Sequence, residues 1–320
     1  MSMFTSGFAA KIDDMIDFRC AHGYKRETYL GSLIKFDRFC REHYPDSSEL
    51  TFEIVHGWVD SENGSLRDNT GRITAIRLLG KYLCAIGENA YIMPEKFLHH
   101  KNSFMPYIFT DEELTVLFAS IDNLPSDKRE PYLSQIAPVL FRLIYTCGLR
   151  PNEGRELLCE NVNLNTGELL ITKTKKKKER IVVMSDEMLA MCRKYNLKRS
   201  IFGKNKKCFF PANNGEAYKS EKINAVFNKA WVTASQASRQ SVPRSVRVYD
   251  LRHRFASACL NKWLDEGRNL MVMLPYLRAY MGHGTMNETA YYIHILPENL
   301  VKSAGVNWEA FNAVLPEVDA

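Results

Sequence analysis

Apolar residues in the first hundred positions return at helical intervals. Phe8, Ile12, Met15 and Ile16 share one face, Leu30, Leu33, Ile34 and Cys40 a second, and Ile73, Ile76 and Leu83 a third. Turn-forming segments interrupt them at Ala21-His22-Gly23, Tyr44-Pro45-Asp46-Ser47-Ser48 and Ser61-Glu62-Asn63-Gly64-Ser65. The pattern predicts a bundle of four or five helices that ends near Met93-Pro94. Residues 99–109 are irregular, basic and aromatic and read as a linker, which bounds a first domain at residues 1–98.

A second domain, residues 110–300, opens on Thr110-Asp111-Glu112-Glu113. Here Thr110 can accept from the Glu113 amide while Glu113 reaches back, a capping box. An apolar helix over Leu133 to Cys147 stops at Gly148, suited to a left-handed turn, and Pro151 presets the next helix start. Then the period changes. Asn165-Thr166-Gly167 signals a turn, and Leu169-Leu170-Ile171 and Ile181-Val182-Val183 flank a lysine run, predicting two short antiparallel strands around a basic loop. Ser185-Asp186-Glu187 caps a further helix, and helical patterning resumes from Asn224 to about Tyr292. The fold class is therefore mainly α with a small antiparallel β-sheet. Residues 301–320 form a tail whose Trp308, Phe311 and Leu315 suit packing, either on another protomer or back in cis.

Composition narrows the class. The 320 residues are 45% hydrophobic and 25% charged, enough to bury real cores. No apolar run approaches the roughly 20 residues of a spanning helix, and the first residues lack a signal-peptide pattern, so a cytoplasmic protein without membrane contact is expected. Eight cysteines occur without a Cys-x-x-Cys pair, so reduced thiols are expected, and neither metal nor cofactor.

The net charge of +6 is modest but unevenly distributed. Lys173 to Arg180 holds six basic residues and one acid, Arg193 to Lys207 holds seven and none, and Arg239, Arg244, Arg247, Arg252 and Arg254 follow. Such clustering in one half of the chain points to a polyanion. Nucleic acid is favoured over a membrane surface, because no basic amphipathic helix accompanies the charge.

Three segments carry candidate chemistry: Cys147-Gly148-Leu149-Arg150-Pro151-Asn152-Glu153, Tyr249-Asp250-Leu251-Arg252-His253, and His283-Gly284-Thr285 through Tyr291-Tyr292-Ile293-His294. A histidine and two arginines around one phosphate, with a tyrosine hydroxyl in reach, suffice to break a phosphodiester without metal. Taken singly, each has a plainer meaning: an arginine at a helix end is often a surface ion pair, and a histidine between glycines a helix cap.

Together with the lysine hairpin, the ordered set resembles the catalytic domain of the tyrosine recombinases, the phage-integrase family, over residues 105–300. The N-terminal part is similar to that family's core-binding domain. The resemblance implies a site-specific recombinase or integrase, of the kind a mobile genetic element encodes, that cleaves and rejoins DNA through a 3′-phosphotyrosyl intermediate. Tyr292, nine residues after His283, would be the nucleophile, with Tyr291 a packed neighbour. Arg150 and Arg252 would clamp the scissile phosphate, Glu153 would orient Arg150, and His283 would bond a non-bridging oxygen. A hairpin lysine would protonate the departing 5′ oxygen. Counting back from Lys178-Glu179-Arg180-Ile181 selects Lys175, and the Lys-Thr pattern selects Lys173. Lys176, Lys177, Lys178, Arg180, Arg244 and Arg247 are read as DNA contacts.

Tyr249 departs from the family pattern, which has histidine there. A phenol with a pKa of about 10 is a poor base near neutrality, so the acceptor of the nucleophile's proton is left open, while His253 reads as structural. The implied partners are double-stranded DNA sites, a homotetramer in the synaptic complex and accessory DNA-bending proteins. The alternatives are an enzyme like the type IB topoisomerases, or a sequence-specific DNA-binding protein with impaired catalysis.

Overall fold

In the computed structural model the chain divides into two compact units, Met1–Phe104 and Met105–Ala320. Residues 3–61, 66–98, 106–172, 179–199, 207–238 and 246–292 are described.

The first unit holds α1 (Ala9–Ala21), α2 (Glu27–His43), α3 (Phe52–Asp60), α4 (Leu66–Ala85) and a 3-10 turn, Glu95–Leu98. Phe8, Ile12, Met15 and Ile16 are sealed in its core, as their spacing predicts. On α2 the buried stripe is Tyr29, Leu33, Phe36 and Cys40, at steps of four, three and four. Ile34, expected on that stripe, is exposed, because it lies about 100° around the helix from Leu33. Asp37 is buried and accepts from the amides of Thr5 and Ser6 and from the Ser6 hydroxyl, pinning the chain start to the bundle.

The second unit begins inside the segment read as a linker. Phe109 is fully buried against Phe227 and Trp231, and Tyr107 packs beside it, so the aromatic residues there belong to a core. Thr110 and Glu113 make the expected capping box on α5 (Asp111–Asp122). The central helix, α6 (Leu133–Thr146), buries Leu133, Ile136, Ala137, Val139, Leu140, Phe141, Leu143 and Ile144, nearly all of its circumference. Then come α7 (Pro151–Arg155), a 3-10 turn (Cys159–Asn161), and strands β1 (Glu168–Ile171) and β2 (Arg180–Val183). The strands pair antiparallel, Leu169 opposite Val182 and Ile171 opposite Arg180. Leu169, Ile171 and Val182 face the core, and Leu170, Ile181 and Val183 face outward.

Helices α8 (Asp186–Arg199), α9 (Ser220–Ser238), α10 (Val248–Asp265), α11 (Leu270–Met281) and the short α12 (Met286–Ala290) follow among the described residues. Among the described residues the fold is mainly α with one two-stranded sheet, as expected. Among the described residues no helix is long and apolar enough to cross a membrane. All eight cysteines are free thiols, and Cys40, Cys147, Cys192 and Cys208 are buried.

Candidate active site

Two glycine-ended helices build the site. Gly148 closes α6 at φ +58°, where a Cβ would lie 2.4 Å from the Phe255 ring. Gly282 closes α11 at φ +66°, where a Cβ would meet the Arg180 guanidinium at 2.9 Å. Only glycine suits both positions. The last carbonyls of an α-helix lack intrahelical partners and carry the negative end of its dipole. Here arginines take them. Arg252, on α10, donates from Nη1 to the Gly148 carbonyl and from Nη2 to the Met281 carbonyl, each at 2.7 Å. Arg150, just before α7, donates from Nη2 to the Gly282 carbonyl at 2.7 Å. Arg180, at the start of β2, donates from Nε to the Tyr280 carbonyl at 2.8 Å.

Glu153 ties the group together from the first turn of α7. Its carboxylate accepts the Arg150 amide at 2.8 Å and Arg150 Nη1 at 2.7 Å. It also accepts both terminal nitrogens of Arg180, at 2.9 and 2.7 Å. Burial alone would raise its pKa, but Arg180 and Arg150 override that and lower it to about 2. The carboxylate is therefore ionised, and three guanidinium groups against one carboxylate leave two positive charges in a low-dielectric pocket. Arg180 is one of the residues read from the sequence as DNA contacts. Its side chain is buried, and its fork is spent on Glu153.

Arg252 is fully buried, and its Nε has no hydrogen-bond partner among the described residues. An unmatched buried donor is costly, and a phosphate oxygen would satisfy it. His283 follows Gly282 and turns its side chain inward. Its Nε2 lies 3.0 Å from Arg252 Nη2 and its Nδ1 2.8 Å from Thr289 Oγ1. Because arginine only donates, Nε2 accepts and Nδ1 carries the proton toward Thr289. Burial, then Arg252 and Arg150, lower the His283 pKa to about 3, so the ring is neutral.

Tyr292 is buried, stacks on His283 with ring centroids 5.7 Å apart, and feels the charge of Arg252. Burial raises its pKa to about 12 against the pull of Arg252. Tyr291, expected to be the packed member of the pair, is instead 41% exposed. The turn that ends α12, with the Tyr292 amide on the Thr289 carbonyl, folds Tyr292 inward and sends its neighbour out. Tyr249 lies on the first turn of α10, near Arg150. Its ring lies 5.1 Å from that of His253, which in turn lies 5.4 Å from Tyr292.

Arg150, Glu153, Tyr249, Arg252, His283 and Tyr292 thus meet from three separated segments. Arg247 stands at the N-terminus of α10, its amide and guanidinium both on Asp250. Lys173, Lys175, Lys176, Lys177, Lys178 and Arg244 lie outside the described residues. Sequence reasoning missed the tie between Arg180 and Glu153, which nothing local signals. It also passed over His253, although the spacing of Tyr249 and His253 already placed them on one helix face. Among the described residues no group of three His, Cys, Asp or Glu could hold a metal.

The phage integrase family matches residues 108–299. A Sinorhizobium fredii (strain NGR234) protein named as an integrase/recombinase, y4rE, is 26% identical over 296 residues, covering 92% of this chain and 93% of its own. Tyrosine recombinase XerD of Rickettsia conorii is 22% identical over 301 residues, 86% of this chain and 90% of that one. In three dimensions the XerH site-specific recombinase, bound to a palindromic difH substrate after cleavage, aligns with a TM-score of 0.65 at 19% identity. That alignment covers 89% of this chain and 80% of XerH. The Tn1549 transposon integrase in complex with transposon right-end DNA gives 0.64 at 13% identity over 93% and 98%. At these identities the two structures establish the fold.

Proposed function

Because this chain belongs to the phage integrase family, we propose that it is a site-specific DNA recombinase that cleaves and rejoins strands through Tyr292. The convergence of Arg150, Arg252, His283 and Tyr292 in one cluster carries this reading. Its two surplus positive charges suit a phosphodiester that gains negative charge as a fifth oxygen approaches phosphorus. Arg150 and the buried Arg252 Nε–H are the donors for non-bridging oxygens, with Tyr249 at the edge of the pocket. Glu153 fixes the Arg150 fork in place.

Tyr292 Oη attacks phosphorus, the bond to the 5′ oxygen breaks, and a 3′-phosphotyrosyl link conserves the phosphodiester energy. Lys175, or Lys173 in the other register, gives the departing oxygen its proton. A 5′ hydroxyl from a second duplex then reverses the step. Such an exchange needs two duplexes and four active sites, hence a homotetramer on DNA, and accessory bending proteins suit that assembly. The proposed place of action is the cytoplasm, on the nucleoid in a bacterium.

The test begins with a duplex sequence that the protein selects from a randomised pool, rebuilt as a nicked suicide substrate. A covalent adduct resistant to denaturant is expected with the wild type and with Tyr291→Phe. None is expected with Tyr292→Phe, which still binds. An adduct that persists in Tyr292→Phe sinks the assignment. Relaxation of supercoiled DNA without exchange between sites would favour the topoisomerase reading, and binding without any adduct the impaired one.

A further inference from the structure

The chemistry above lacks an acceptor for the Tyr292 proton. His283 cannot serve in the arrangement seen: its Nε2 faces Arg252 and its Nδ1 faces Thr289. Tyr249 is a phenol, and removing a proton from one phenol with another neutral phenol gains nothing.

One further imidazole lies in the pocket. His253 is 7% exposed, on the turn of α10 after Tyr249, with its ring between those of Tyr249 and Tyr292. Its Nδ1 is buried with no hydrogen-bond partner among the described residues. Its Nε2 lies 4.0 Å from Asp250 Oδ1, and Asp250 is itself fully buried. A neutral imidazole carries one proton; with that proton on Nε2, the nitrogen 4.0 Å from the Asp250 carboxylate, Nδ1 keeps its lone pair. The unpartnered nitrogen thus belongs to an imidazole whose ring centroid is 5.4 Å from that of Tyr292.

We propose that His253 Nδ1 accepts the Tyr292 proton during cleavage, with Asp250 holding the imidazolium that results. This rests on the recombinase reading above. The step balances: the Oη–H bond breaks as the Oη–phosphorus bond forms, the proton goes to Nδ1, and the hairpin lysine protonates the 5′ oxygen that leaves. In the reverse step His253 returns its proton to Tyr292.

The groups facing His253 are Arg252, Asp250 and Tyr249 on its own helix, Arg247 at the helix start, and Tyr292. Burial first, then Arg247 and Arg252, lower its pKa to about 4. It is therefore unprotonated and ready at neutral pH. A bound phosphate offsets the arginine charge and makes Nδ1 more basic when the proton must move. The ring contact lacks a formed hydrogen bond to Oη, and such bonds often tighten only when substrate is bound.

The test is the pH dependence of adduct formation on the suicide duplex. The wild type should be flat between about pH 6.5 and 8, because its acceptor is already deprotonated there. His253→Gln should bind DNA normally and be slower by about 10²-fold or more. Its rate should climb about tenfold per pH unit, because Tyr292 must then lose its proton to hydroxide. Tyr249→Phe should slow cleavage without adding a slope. A flat, wild-type profile in His253→Gln overturns the proposal, as does a slope gained by Tyr249→Phe alone. The wild-type profile is a test that needs no variant to fold: a tenfold rise per unit through neutrality also overturns it. Absence of any adduct overturns the recombinase reading, and this proposal with it, whereas an adduct with the wrong pH profile overturns only this proposal.

Discussion

Glu153 shows at the scale of one side chain how a cationic pocket is kept folded. Its carboxylate is 2% exposed and holds Arg150 and Arg180 at once. Its pKa falls from 4.5 to about 2, so the stability it contributes is present above pH about 4.5 and lost as pH falls toward 2. At roughly 1.4 kcal/mol per unit, that contribution is on the order of 3 kcal/mol. Glu153→Gln should lower unfolding stability by about that much, measured by urea titration at pH 7, and most of the difference should vanish near pH 2. Arg150, Arg252, His283 and Tyr292 were legible as residues because each sits in a short ordered motif. Arg180 was not, since a strand residue next to a lysine run reads as one more surface charge. Only its contact 27 residues back, with Glu153, gives it another meaning.

At the scale of elements the site depends on how two helices stop. The ends of α6 and α11 present carbonyls to Arg252 and Arg150, and glycine at each end lets the chain turn away. Gly282→Ala adds left-handed strain of about 1–2 kcal/mol, and its Cβ would displace Arg180 from its place beside Glu153. Adduct formation should therefore fall much further than DNA binding, measured as single-turnover rate against Kd. Equal losses in both would mean that the helix end only supports the fold. Gly148 was readable as a helix stop from its position after an apolar run. That its carbonyl would hold an arginine 104 residues later was not.

Across the whole chain, charge sets two measurable behaviours. If six to ten phosphates are contacted, affinity should drop by on the order of 10³-fold or more between 50 and 200 mM salt. Tyr292→Phe should keep the same slope, because the phenol carries no charge. Acid should also weaken the unit Met105–Ala320 in stages. Burial lowers His253 and His283 from 6.5 to about 4 and about 3. The unfolded chain therefore takes up these protons first, and stability falls as pH drops below about 6.5, before Glu153 titrates. Thermal unfolding followed from pH 8 to 4 should show this early loss, and His283→Gln should reduce it. The sequence by itself determined the helical bundle, the paired strands, the helix ends and the motifs that supply the candidate side chains. Those follow from periodicity and turn chemistry, which act over a few residues. Tertiary structure decided which tyrosine turns inward, which arginine is spent on Glu153, and which imidazole lies between the rings of Tyr249 and Tyr292. Those depend on burial and on partners a hundred or more residues away, where local pattern carries no information.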